Sequence, residues 1–254
     1  MLIDTHTHLY AEEFDTDRAE AVKRCLENNI TKLYLPNVDS ESIPRMLELE
    51  KQFPEHCFAM MGLHPCSVKE NYKDELAIVQ DWLSKRKFAA VGEIGIDLYW
   101  DKTFLKEQQE AFSQQINWAL EHQLPIVIHC REAFDEIYEV LTGFTKLPPG
   151  IFHCFSGNKE QAEKIIGLGG FKLGIGGVLT FKNSGLDKVV EQIGLEHLVL
   201  ETDSPYLAPI PQRGKRNESS YVKLIAEKLS QIKNVSTDEI AMVTSKNALE
   251  IFPV

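Results

Sequence analysis

Short apolar runs alternate with helix-period segments from one end of the chain to the other. Brief continuous runs of Leu, Ile, Val and Phe are the pattern of parallel strands buried on both faces. They fall at residues 2–4, 32–38, 57–63, 89–95, 125–129, 150–153, 171–175 and 198–201. Between them, apolar residues recur at helical spacing over 17–28, 42–53, 75–87, 106–122, 133–144, 159–168 and 184–193, and two further helices follow Arg216. Strands separated by helical crossovers predict an α/β fold, the TIM (β/α)8 barrel, as one domain over residues 1–254. The competing arrangement, an open doubly wound sheet, usually carries a glycine-rich first turn. The first turn here is Thr5-His6-Thr7-His8. No repeat, low-complexity tract or linker interrupts the alternation, and Pro148-Pro149-Gly150 reads as a loop within it.

Composition narrows the setting. No apolar run approaches the roughly 20 residues of a bilayer span, and the N-terminus lacks the layout of a secretory signal. A cytoplasmic protein with no membrane association and no obligate protein partner is expected. Five scattered cysteines contain no Cys-x-x-Cys pair, which argues against a disulfide framework or a zinc knuckle. Cys130 and Cys154 each follow a histidine in a strand-like run, so alternation should turn them away from it as small buried apolar residues. The net charge of −11 weighs against a broad basic surface for duplex nucleic acid. It does not exclude a phosphate substrate, because bound cations are absent from that sum.

The chemistry sits at the strand ends. His6 and His8 follow the first strand, and side chains two apart on a strand share a face. His64 follows the third, Glu93 lies in the fourth, His129 ends the fifth, His153 the sixth, and Asp203 follows the eighth. In a barrel all these ends ring one mouth, where active sites of this fold lie. His56, His122 and His197 stand at or before strand starts and should be solvated on the opposite rim. Four histidines and two carboxylates exceed the ligand set of one tetrahedral zinc. Two divalent ions fit better, with Glu93 as bridge, His6, His8 and Asp203 on one side and His129 and His153 on the other. Imidazole with carboxylate suits zinc, manganese or iron, while magnesium prefers oxygen, so the metal is left open among zinc, magnesium and manganese. Two such ions less two carboxylates leave a local charge of about +2, suited to a phosphoester or an acyl oxyanion. Hydrolysis by a metal-activated water is therefore expected, and no Gly-x-Ser-x-Gly elbow competes with it.

Several motifs together resemble one family. They are Asp4-Thr5-His6-Thr7-His8, Gly62-Leu63-His64-Pro65, Gly92-Glu93-Ile94-Gly95-Ile96-Asp97, Ile128-His129-Cys130-Arg131, His153-Cys154-Phe155-Ser156-Gly157, Glu201-Thr202-Asp203-Ser204-Pro205-Tyr206 and Arg213-Gly214-Lys215-Arg216-Asn217. This set is similar to that of the TatD-related metal-dependent deoxyribonucleases, in the same order and over nearly the whole chain. The resemblance implies a two-metal TIM barrel that hydrolyses DNA phosphodiesters from single-stranded 3′ ends. It implies that His6, His8, Glu93 and Asp203 hold one metal and Glu93, His129 and His153 the other. Asp-x-His-x-His alone is shared with the wider amidohydrolase superfamily, so the alternative is hydrolysis of a small amide, lactone or cyclic amide. No lysine stands in the fourth strand, where many binuclear amidohydrolases carry a carboxylated one. Glu218-Ser219-Ser220 replaces the Glu-Pro that the family usually has here, which bears on the shape of the substrate-side loop.

Around the metals, His64 has two readings: a contact to the phosphate or leaving oxygen, or an orienter of a ligand. Glu201 shares a face with Asp203 and is expected to hold a ligand histidine from behind. Arg131 is read as a phosphate clamp or as a surface ion pair. Arg213, Lys215 and Arg216, with Asn217 of the same motif, form the densest basic stretch and are expected to contact the backbone of single-stranded DNA. Tyr99-Trp100 is expected to pack on the barrel rim, with a stacking surface as the other reading.

Overall fold

A computed structural model describes residues 1–252 of the chain. Eight parallel strands form its centre: β1 Leu2–Asp4, β2 Ile30–Pro36, β3 Cys57–Met60, β4 Val91–Asp97, β5 Ile126–Arg131, β6 Gly150–Phe152, β7 Phe171–Ile175 and β8 Leu198–Leu200. They pair in sequence order as β1-β2-β3 and β4 through β8. Both seams are closed by backbone bonds. Met61 donates to the Ala90 carbonyl and Gly92 to that of Met61, while Thr5 donates to Leu200 and Asp203 to His6. The ring is a TIM barrel, as the alternation predicts.

The strands close because their apolar runs have two surfaces to cover. On the inner face, Ile3, Tyr34, Met60, Ala90, Val127, Ile151 and Val199 meet in one buried cluster. Ala248, Ile251 and Phe252 plug its lower end, with the Phe252 ring stacked 3.9 Å from that of Tyr34. The outer face packs against helices α1 Arg18–Glu27, α2 Ile43–Gln52, α3 Tyr72–Lys85, α4 Leu105–His122, α5 Phe134–Thr142, α6 Lys159–Gly167, α7 Leu186–Gln192 and α8 Val222–Lys233; α9 Thr237–Ile251 supplies most of the plug. In α4, Ala111, Phe112, Ile116 and Ala119 recur on one buried stripe. Local signals fix several helix ends. Asn158 and Gln161 form a reciprocal capping box at the start of α6, and the Ser236 side chain accepts from the Glu239 amide at the start of α9.

With the lower end plugged, the open end is the one formed by the strand C-termini. There β4 and β5 each run two residues beyond their expected ends, to Asp97 and Arg131, which are register partners. Gly95 permits this close pairing: at φ 144° a Cβ would lie 2.0 Å from the His129 carbonyl oxygen. The extension brings Asp97 into the mouth.

Candidate metal centre

β1 ends at Asp4, before the two histidines, yet the backbone beyond it stays tied on both sides. Thr7 donates to the Tyr34 carbonyl and His8 to that of Ser204. Asp4 reinforces this seam from within, accepting from the Thr202 amide at 2.9 Å and its hydroxyl at 2.6 Å. His6 and His8 consequently converge, with their Nε2 atoms 3.3 Å apart. His6 Nε2 lies 3.1 Å from Glu93 Oε2 and 3.7 Å from Asp203 Oδ1, and His8 Nε2 lies 3.6 Å from that same Asp203 oxygen.

Glu93 is the hub. Its Oε2 faces His6 and His8, and its Oε1 faces His129 Nδ1 at 2.7 Å, His153 Nε2 at 2.8 Å and His64 Nε2 at 3.3 Å. Three overlapping donor groups result: His6, His8 and Asp203; His6, Glu93 and His153; and His64, Glu93 and His129. One carboxylate therefore joins all the strand-end histidines that the sequence places at the mouth.

Two residues behind the histidines, Tyr10 and Asp97, set which nitrogen faces inward, because the hydrogen bond at one ring nitrogen fixes the role of the other, and Glu201 stands beside a third ring. The Tyr10 hydroxyl donates its only proton to the Pro36 carbonyl at 2.6 Å, so it accepts from His8 Nδ1 at 3.0 Å and leaves Nε2 with its lone pair inward. Asp97 Oδ2 accepts from His129 Nε2 at 2.8 Å, turning Nδ1 toward Glu93. Glu201, fully buried, stands 3.3 Å from His153 Nδ1 through Oε1, which also accepts the Cys154 amide at 2.5 Å. Tyr10 and Asp97 escape the sequence reading. His64 is arranged the opposite way. Its Nδ1 accepts the Cys66 amide at 3.0 Å, so in the neutral ring Nε2 carries the proton.

The electrostatics suit a cluster able to hold cations. Burial, followed by the neighbouring His153, holds His6 well below the ordinary imidazole value, and burial brings His8 down to about 4. His64 is lowered by burial as well. Burial opposes charge on His153 and His129, but the carboxylates beside them prevail and raise both, Glu93 and Glu201 at the first and Asp97 and Glu93 at the second. Burial raises Asp203 to about 7. For Glu93 burial pushes upward, and the surrounding histidines overcome it to hold the carboxyl well below its usual range. Buried imidazole lone pairs facing one another are a costly arrangement without an ion between them. Among the described residues, the buried His6 Nδ1, His153 Nδ1 and Glu201 Oε2 have no hydrogen-bond partner. These donors, nitrogen with carboxylate oxygen, suit two divalent metals.

The surrounding residues divide. Arg213 and Lys215 are exposed, the former lying 4.1 Å over the Phe181 ring. Arg216 is not free for DNA: its guanidinium grips both Asp17 oxygens, at 2.6 and 2.8 Å. Asn217 is fully buried and cannot reach a substrate; its amide ties the Thr202 and Tyr206 carbonyls together at 2.7 and 2.6 Å. Both are corrections to the expected backbone contacts, and both arise from partners distant in sequence. The Glu218-Ser219-Ser220 segment is built into the same scaffold, with Glu218 against Arg24 and the Ser219 hydroxyl 2.9 Å from that of Thr7. Tyr99 and Trp100 do not pack on the rim. They are 48% and 71% exposed, because the turn that carries them projects beyond β4. Cys130 and Cys154 are half-buried rather than sealed in the core. His56, His122 and His197 are also half-buried, and His56 Nδ1 lies 2.9 Å from the Thr31 carbonyl.

Known proteins share this fold. The family model of TatD-related DNases matches residues 3–253. The chain is 38% identical over its full length to the full length of the uncharacterized metal-dependent hydrolase YabD of Bacillus subtilis. The crystal structure of YjjV, a TatD homolog from Escherichia coli K12, superposes with a TM-score of 0.93 at 31% identity, covering 100% of this chain and 98% of that one. A 3′-5′ ssDNA/RNA exonuclease TatD of Pectobacterium parmentieri is 27% identical across 99% of each chain. Fold and full-length similarity agree: the chain belongs to the TatD-related DNase family of metal-dependent hydrolases.

Proposed function

We propose that this metal-dependent hydrolase is a deoxyribonuclease that removes nucleotides from single-stranded 3′ ends. The observation that carries the reading is the convergence of His6, His8, His129, His153 and Asp203 on the Glu93 carboxylate at the barrel mouth. The family description and the printed activity of the Pectobacterium relative support DNA as substrate. No lysine stands in β4 to form a carboxylated bridge, which disfavours the small-amide or lactone reading.

His6, His8, Glu93 and Asp203 would hold one ion and Glu93, His129 and His153 the second. Such ions supply positive charge against the phosphodiester oxygens and a water acidic enough to attack at neutral pH. The protein's own groups do the positioning. Tyr10 and Asp97 hold the His8 and His129 rings from behind and Glu201 stands beside His153, so each ring would turn its inward nitrogen to an ion once that nitrogen has lost its proton. His64 presents an Nε2–H to the centre. Burial keeps it neutral, so its role is to donate a hydrogen bond to a phosphate oxygen rather than to transfer a proton. Asp203, half-hidden at the mouth, is the cluster's carboxylate nearest solvent. Arg213 and Lys215 remain exposed to take backbone phosphates further along the strand.

The test is a panel of 5′-labelled and 3′-labelled single-stranded DNA, duplex DNA, and small amides and lactones, each with metal-loaded protein. Stepwise shortening from the 3′ end of the single strand is expected. Amide or lactone turnover that exceeds any DNA cleavage would replace this reading with the small-molecule one.

A further inference from the structure

Arg131 closes β5 at the mouth, directly opposite Asp97 in register. In a chain with 38 acidic residues, a strand-end arginine ordinarily finds a carboxylate. Among the described residues this one has none within ion-pairing distance. Asp97, its neighbour across the strand pair, is turned instead to His129 Nε2 and to the Tyr99 and Trp100 amides at 3.0 and 3.4 Å. The Arg131 guanidinium lies over the Tyr99 ring, its Cζ 3.8 Å from the centroid, and 5.3 Å from that of Trp100. The two rings stand edge to face at 86° with centroids 4.8 Å apart. Together they form a corner: one wall is an exposed indole, the other a cation stacked on a phenol.

Such a corner serves no packing purpose, since the indole is left 71% in water. It matches an unpaired base with its attached phosphate, the base offering a π face and the phosphate two oxygens to a guanidinium fork. Its distance from the metal centre is fixed by Asp97, which holds His129 with one oxygen and the Tyr99-Trp100 turn with the other. We propose that Tyr99, Trp100 and Arg131 form a subsite for the nucleotide flanking the scissile phosphodiester, with Trp100 stacking the base and Arg131 clamping its phosphate. The assignment rests on the nuclease reading and adds a reason for single-strand selectivity: a base inside a duplex has both faces covered by its stacked neighbours.

Two measurements on the full chain test it. In steady-state cleavage of single-stranded DNA, Trp100→Ala should raise KM by about 5- to 150-fold, the usual range for a lost base stack. On an oligomer whose two terminal residues lack bases, the same substitution should change KM by less than about twofold, because there is no base to lose. Independently of cleavage, a thymidine oligomer should quench indole fluorescence in Glu93→Gln protein, and Trp100→Ala should remove that quench. Trp118 is buried and Trp82 half-buried, so the responding indole is Trp100. DNA cleavage with an unchanged KM in Trp100→Ala would overturn the subsite and leave the nuclease reading standing. A quench that depends on Trp100 in a protein that cuts no DNA would overturn the nuclease reading and, with it, the assignment of this corner to a scissile nucleotide. A quench that persists in Trp100→Ala overturns the subsite in either case.

Discussion

Asp97→Asn tests how far the metal centre depends on residues behind it. Asp97 accepts from three donors: His129 Nε2 at 2.8 Å and the amides of Tyr99 and Trp100. Asparagine keeps one carbonyl oxygen, enough for the backbone amides through the atom that already serves them. The other terminus becomes an NH2 group, a donor facing the His129 N–H. The ring then has to turn or take the opposite tautomer, which puts its proton on Nδ1 and removes that atom as a metal ligand. Partners of this kind typically contribute about 10- to 100-fold in metal affinity, or about 1.4 to 2.7 kcal/mol. The fold should survive, since β4 and β5 keep their ladder and Gln108 still bonds the Asp97 backbone on both sides. Titration of metal-free protein with Mn2+ or Zn2+ by calorimetry measures the effect: one of two sites should weaken by that factor while the other holds. Two sites of wild-type affinity in Asp97→Asn would refute the claim that this carboxylate sets the His129 tautomer.

Other consequences follow from the same geometry. His8→Ala should lower the bound metal from two equivalents toward one by elemental analysis, with a thermal unfolding midpoint near that of the metal-free wild type, because the lower barrel core does not touch this ring. Metal affinity should fall as pH drops through about 7: the ligands bind deprotonated, His129 and His153 are raised, and Asp203 sits near 7, so protons compete from neutrality downward. Calorimetry at pH 8 and pH 6 reads this directly, and equal affinities would contradict it. Lys215→Ala should reduce the salt dependence of single-stranded DNA binding by about 0.7 in the log–log slope, the value for one lost phosphate contact. Arg216→Ala should leave that slope unchanged, because its charge is already engaged by Asp17.

What could be read from the sequence was what alternation dictates. Parallel strands buried on both faces have few places for polar side chains except their C-terminal ends, so His6, His64, Glu93, His129, His153 and Asp203 stand out against apolar runs. Asp97 did not, because the expected fourth strand stopped at residue 95, and the two-residue extension depends on Gly95 allowing contact with the His129 carbonyl. Tyr10 was hidden for a different reason: its partner, Pro36, lies 26 residues away on the next strand. The basic stretch misled in part. Arg216 and Asn217 have the composition of a DNA-contact loop, but the barrel returns them to Asp17 and Thr202, and only tertiary structure reveals that their donors are already used. Tyr99-Trp100 shows the converse case, an apolar pair that composition assigns to packing and the projecting turn leaves in solvent.

The proposed role of Glu93, joining two metal clusters into one hydrolytic centre, is tested by comparing wild-type and Glu93→Ala protein on end-labelled single-stranded DNA after identical metal loading. Shortening from the 3′ end is expected for the wild type and none for the variant, which should also retain fewer than two metal ions. Cleavage by Glu93→Ala at the wild-type rate, or no shortening by the wild type with any divalent ion, would contradict it.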